Sequence, residues 1–190
     1  MDRGTLSALE TAGELLNGRS LTELAGYDLK RLRSTASLGI KRAAVLIAAF
    51  ELGRRLEVES ASKLERISNS EDVEAIFRPL IGSLKHEEFW VLYLNSAGGI
   101  LDRVKASQGG VSGSVVDHKL IVKRAVELLA TAIIVVHNHP SGVTEPSDND
   151  KEITAKLITA CSLFDIELLD HVIVTAEESA SFRDSKLIME

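Results

Sequence analysis

A single cysteine, Cys161, stands in 190 residues. One thiol cannot build a disulfide framework or a cysteine-rich structural zinc site. The Pro-Cys-x-x-Cys segment of a zinc deaminase is excluded with it. Because Cys161 lies in a largely apolar helical stretch, it suits a reducing interior, and a cytoplasmic location is expected. Proline is scarce, with three residues, and 45% of the chain is hydrophobic, which argues against global disorder. The longest apolar runs, Ala43 to Phe50 and Ala125 to Val136, carry charge or fall short of the roughly 18 residues that a membrane span needs. Met1-Asp2-Arg3-Gly4 opens without the charged start and apolar block of a secretory signal.

The net charge of −6 is unevenly divided. Through Ile67, 11 Lys and Arg face 9 acids; beyond it, 11 face 19. Any contact with nucleic acid is therefore expected in the first part, because the second would repel it. The chain is long enough for one full core and a small accessory domain.

Ala132-Ile133-Ile134-Val135-Val136 is uninterrupted apolar sequence, rich in β-branched residues, and predicts a strand buried on both faces. His137 and His139 continue it. Side chains two apart share a face of a strand, so both imidazoles can reach one ion where the strand leaves the core, while Asn138 points away. Pro140-Ser141-Gly142 ends the strand. Ser147 then caps an acidic helix start in which Asp150, three residues on, can turn back toward the histidines. Ser147 with Asp150 also satisfies a purely structural capping box. Two histidines and one carboxylate, all within fourteen residues, make a candidate metal site with its fourth position open. The letters His-Asn-His do not indicate an HNH nuclease, whose three residues are dispersed over a ββα unit.

The spacing His137-x-His139, seven residues, Ser147, two residues, Asp150 resembles the JAMM motif of MPN-type metalloproteases. His137-Asn138-His139-Pro140-Ser141-Gly142, Glu145-Pro146-Ser147 and Leu169-Asp170-His171 resemble the bacterial RadC family more closely, over nearly the whole chain. The resemblance implies one Zn2+ per chain bound by His137, His139 and Asp150. It implies a glutamate acting as base at the start of the strand Phe89 to Leu94, and places it two before the phenylalanine, at Glu87, with Glu88 the alternative. Ser147 would donate a hydrogen bond to the oxyanion. The activity implied is zinc-dependent hydrolysis of peptide or isopeptide amide bonds, with a protein or peptide substrate. Asp117-His118-Lys119 stands where many members carry Pro-Arg-Glu, and the segment 108–114 lacks the usual Gly-Thr pair. His171 is expected to make a hydrogen bond, either behind the metal site or within the core, rather than to act as a ligand, and His86 and His118 to be solvated.

The fold expected is α/β, a mixed sheet flanked by helices in an MPN/JAB-like arrangement at 70–190, after a small all-α domain at 1–56 and a polar linker at 57–69. In the first domain, Ser20 and Asp28 open short helices and Lys41 to Leu56 forms a longer one. Ala36-Ser37-Leu38-Gly39 resembles the turn of a helix-hairpin-helix, with Ser37 replacing its first glycine. Gly39, Lys41 and Arg42 are the candidate phosphate contacts, so DNA is a candidate partner; a packing or dimerisation module is the alternative, and homo-oligomerisation stays open. Beyond the linker, Ser70 is expected to cap a helix that Pro79 kinks, followed by a hairpin around Ser96-Ala97-Gly98-Gly99. Helices are expected over Leu120 to Leu129 and Asp148 to Leu163, and strands over Ala132 to His137 and Ile166 to Val174.

Overall fold

The structure is a computed structural model that describes residues 8–35, 38–62, 65–108 and 116–188. It divides into two compact units, 1–57 and 58–190.

The first unit holds α1 (Ala8–Leu16), α2 (Leu21–Ala25), α3 (Leu29–Thr35) and most of α4 (Ile40–Ser62). Ser20 accepts the Glu23 N–H at 3.0 Å and Asp28 the Arg31 N–H at 2.7 Å, so each side chain satisfies a donor that a helix start leaves free. Leu15, Leu24, Tyr27, Leu32, Leu38 and Ala43 form its small core. Ala36 and Ser37 of the hairpin-like turn lie outside the described residues. Gly39, Lys41 and Arg42 are exposed around the start of α4.

The segment expected as a linker is largely structured. Its first part continues α4 to Ser62, and its last part docks on the β-hairpin, where the Ile67 N–H donates to the Gly98 carbonyl at 2.9 Å and the Ile100 N–H to the Glu65 carbonyl at 2.8 Å. Gly98 permits this approach: its φ is +77°, and a Cβ there would sit 2.6 Å from the Ile67 carbonyl oxygen.

The second unit continues with α5 (Ser70–Ile81), β1 (Glu88–Leu94), β2 (Ile100–Gln108), α6 (His118–Glu127), β3 (Ala132–Asn138), α7 (Asp148–Ser162), β4 (Glu167–Val174) and β5 (Ser179–Ser181). Asn69, not Ser70, caps α5, accepting the Asp72 N–H at 2.9 Å. The helix also runs through Pro79 to Ile81, because a proline in the last turn removes only one of the closing hydrogen bonds. The strands form one sheet in the order β2-β1-β3-β4-β5, in which only β3 and β4 are parallel. α7 makes the crossover that a parallel pair requires.

Alternation along the strands sends side chains to two cores. On one face Phe89, Val91, Tyr93, Ile133 and Val135 pack with Ile121, Val122 and Ala125 of α6 and Leu157 and Cys161 of α7. On the other, Leu92, Leu94, Ile134 and Val136 meet Val73, Ile76, Phe77 and Ile81 of α5. Every residue of β3 is buried, as its composition requires. The face covered by α6 and α7 carries the histidines. This is the mixed α/β architecture expected, and among the described residues no helix is long and apolar enough to cross a membrane.

Candidate metal centre

β3 delivers His137, and the residue just past its end delivers His139, whose N–H still pairs with the Val174 carbonyl at 3.0 Å and so keeps the strand's alternation. The turn that follows closes with the Gly142 N–H on the His139 carbonyl at 3.1 Å, with Gly142 at φ +81°. The chain returns through Ser147, whose side chain and Asp150 form a reciprocal capping box at the start of α7. That cap aims the Asp150 carboxylate at the histidines. Its Oδ2 accepts the Ser147 N–H at 2.8 Å and the Ser147 hydroxyl at 2.6 Å.

The two Nε2 atoms lie 2.9 Å apart, His137 Nε2 is 3.2 Å from Asp150 Oδ1, and His139 Nε2 is 3.5 Å from Asp150 Oδ2. Ligands of a tetrahedral ion with bonds of about 2.0–2.1 Å sit about 3.3 Å from one another. The spacing therefore fits one zinc ion, and the three groups form the metal-competent cluster found among the described residues. Burial opposes charge on Asp150, but hydrogen bonds from His137 and His139 outweigh it and hold the carboxyl far below its ordinary range. The carboxylate in turn raises His139, with Glu87 adding to the effect. A site that draws protons onto an imidazole also favours a cation.

The second nitrogen of each ring is occupied. His139 Nδ1 lies 2.7 Å from the Val143 carbonyl and must carry a proton, so Nε2 is the nitrogen that a metal ion would take. His137 Nδ1 faces His171 Nε2 at 2.8 Å. His171 reaches this position through a β-bulge: Ile133 pairs with Leu168 but Ile134 with Asp170, so the extra residue Leu169 shifts the alternation and turns His171 onto the histidine face. It is fully buried, and burial lowers its pKa well below the ordinary histidine value.

The two candidate bases part clearly. Glu87 lies just before β1 and is near enough to the cluster for its charge to raise His139. Glu87 is half-buried. Glu88 is fully engaged, accepting from Trp90 Nε1 at 2.9 Å with Lys105 Nζ and His86 Nε2 each at 3.2 Å. His86, expected to be solvated, is thus tied to Glu88. His118 differs too: its Nε2 is buried, without a hydrogen bond among the described residues.

Two residues escaped sequence reasoning. Asn138 is fully buried; its Oδ1 accepts the Glu88 N–H at 2.8 Å and its Nδ2 donates to the His86 carbonyl at 2.9 Å. Thr154, one turn beyond Asp150, has its hydroxyl 2.6 Å from His171 Nδ1. Neither belongs to a recognisable metal motif, although a polar residue inside an apolar strand or on a helix's buried face is a signal in itself. Ser147 spends its hydroxyl hydrogen on Asp150, so the oxyanion role expected of it would require that hydroxyl to turn toward substrate. Beside His139 a groove of about 270 Å³ is lined by Gly82, Leu84, Lys85, Pro140 and Gly142.

A five-stranded mixed sheet with this cluster at the end of its central strand is the arrangement of a JAB-type domain, and residues 67–187 match the family described as the RadC-like JAB domain. A UPF0758 protein of Flavobacterium johnsoniae is 41% identical over 170 residues, covering 90% of this chain and 74% of its own length. One from Porphyromonas gingivalis is 37% identical, covering 98% of this chain and 83% of its own. The chain belongs to the RadC family.

Proposed function

We propose that the protein is a zinc-dependent hydrolase of the JAMM type that cleaves peptide or isopeptide amide bonds. The observation that carries this reading is the convergence of the His137, His139 and Asp150 donor atoms at spacings one ion could bridge; the charge of Glu87 acting on His139, with Glu88 engaged elsewhere, supports Glu87 as the base. Zinc held there would supply Lewis acidity, polarising the scissile carbonyl and acidifying water toward a pKa of about 7. Glu87 takes the proton of the attacking water and passes it to the leaving nitrogen. Ser147 keeps the Asp150 carboxylate in place. The groove beside His139 gives an extended substrate a path to the site.

Elemental analysis is expected to find one zinc per chain in wild type and none in His137→Ala. A peptide-library assay of the zinc-loaded protein is expected to show cleavage that Glu87→Gln abolishes without loss of metal. Equal cleavage by wild type and Glu87→Gln would remove Glu87 as the base, and absence of zinc would remove the enzyme reading altogether.

A second reading concerns the first unit. Lys41 and Arg42 are exposed at the start of α4, close to the exposed Gly39, which suits non-specific contact with DNA phosphates. Affinity should then fall steeply with salt, and Lys41→Ala with Arg42→Ala should flatten that dependence.

A further inference from the structure

His137 and His139 present the same nitrogen to the cluster but are held by partners of different kinds. A carbonyl only accepts, so Val143 fixes the His139 tautomer outright. The partner of His137 is another imidazole, which can donate or accept through Nε2. That contact alone leaves two arrangements open. In one, His137 carries its proton on Nδ1 and presents Nε2 to a metal; in the other the proton sits on His171 Nε2, His137 is protonated at Nε2, and a metal must first displace that proton.

The choice is made one contact further out. Thr154 Oγ1 lies 2.6 Å from the Asp150 main-chain carbonyl and 2.6 Å from His171 Nδ1. The hydroxyl has one hydrogen, and the carbonyl has none to give, so Thr154 donates to Asp150. Its oxygen can only accept from His171, which places the His171 proton on Nδ1. His171 Nε2 is then a lone pair, the proton between the two rings belongs to His137 Nδ1, and His137 Nε2 is the nitrogen that faces Asp150 and that a metal ion would take. All the groups involved are enclosed: Thr154 is 3% exposed, His171 0% and His137 5%, so water does not compete for these bonds.

We infer that Thr154 is a positioning residue that sets the His137 tautomer through His171 and thereby makes the site competent for metal. The inference rests on the zinc reading above. It also explains an economy of the fold. Asp150 and Thr154 are one helical turn apart on α7, so the same turn presents a carboxylate and sets the chemistry of a histidine on another strand. The threonine's bond to the carbonyl four residues back fixes its rotamer, and the β-bulge at Leu169 brings His171 into reach.

The test uses the whole protein, zinc as the only ligand and two substitutions. Thr154→Val keeps the shape and removes the hydroxyl; Thr154→Ser keeps the hydroxyl. Long-range ¹H–¹⁵N spectra of zinc-free wild type should show His171 protonated at Nδ1 and bare at Nε2. In Thr154→Val that signature should be lost, and zinc affinity, measured by chelator competition, should fall roughly 10–100-fold. Thr154→Ser should retain both. His171 protonated at Nε2 in wild type would overturn the inference, as would a folded Thr154→Val that binds zinc within twofold of wild type. If Thr154→Val does not fold, the wild-type spectrum and the Thr154→Ser affinity decide it. A wild type with the expected tautomer and no zinc affinity would instead sink the hydrolase reading.

Discussion

Asn138 brackets Glu87. Its side-chain amide bonds the peptide group on either side of that residue, accepting from the Glu88 N–H at 2.8 Å and donating to the His86 carbonyl at 2.9 Å. The residue between the two histidines thus locks the backbone around the glutamate proposed as the base. Replacing it with aspartate keeps the acceptor and loses the donor to His86; replacing it with leucine loses both. A displacement of about 1 Å can cost 10²-fold in rate. Both variants are expected to lower kcat at least about tenfold while retaining zinc, and Asn138→Leu should speed hydrogen exchange at the Glu88 amide. An unaltered Glu88 exchange rate in folded Asn138→Leu would show that the bracket does not hold this strand.

Glu87 and Glu88 should behave in opposite ways on substitution. Glu87→Gln is expected to lose about 10²–10⁴-fold in kcat with little change in stability. Glu88→Gln is expected to keep activity and lose stability, because Trp90, Lys105 and His86 converge on that carboxylate. Burial works against the charged form of Glu88, yet those partners prevail and its pKa is lowered. A depressed folded-state value gives stability that is present above the unfolded pKa of about 4.3 and is lost as pH falls through the folded one. Urea unfolding of wild type between pH 6 and strong acid should therefore fall toward the Glu88→Gln curve as Glu88 protonates. Parallel curves across that range would show that the carboxylate contributes nothing.

The central strand and the ligand spacing were legible because both are local. A β-branched apolar run and a period of two put His137 and His139 on one face, and the same parity relative to Phe89 separates Glu87 from Glu88. The residues beyond them were less so. His171 depends on a bulge within Leu168-Leu169, where two consecutive leucines give no sign of which is the extra residue. β5 is Ser-Ala-Ser, too short and too small to announce a strand, and the tail of α4 follows the exposed Glu57 and Glu59 with a polar sequence that read as linker.

β5 matters because it seats Phe182. Asp170 accepts the Arg183 N–H at 3.0 Å and the Ser181 hydroxyl at 2.6 Å, pinning this segment so that the Phe182 ring stacks on His171 with centroids 4.6 Å apart. Phe182 is 1% exposed, so Phe182→Ala opens a cavity under the imidazole and is expected to cost about 3–5 kcal/mol by chemical denaturation. Zinc affinity should fall with it, as His171 gains room to turn. A loss of stability without any change in zinc affinity would show that the ring only fills space.

Zinc itself separates a metal centre from a capping box. If Ser147 and Asp150 serve only to start α7, the cluster is complete as a hydrogen-bonded cap and added metal gains nothing. If the donors form a site, zinc binds the folded chain and not the unfolded one. Stability should then rise by about 2.7 kcal/mol at free zinc one hundred times its dissociation constant. Thermal denaturation should shift upward with zinc, return to its starting point on chelation, and be insensitive to zinc in His137→Ala. Cys161 offers no competing site, since it is buried and its thiol is pushed up to about 11 by that burial. A zinc response that survives His137→Ala would place the metal elsewhere and leave the capping box as the whole purpose of Ser147 and Asp150.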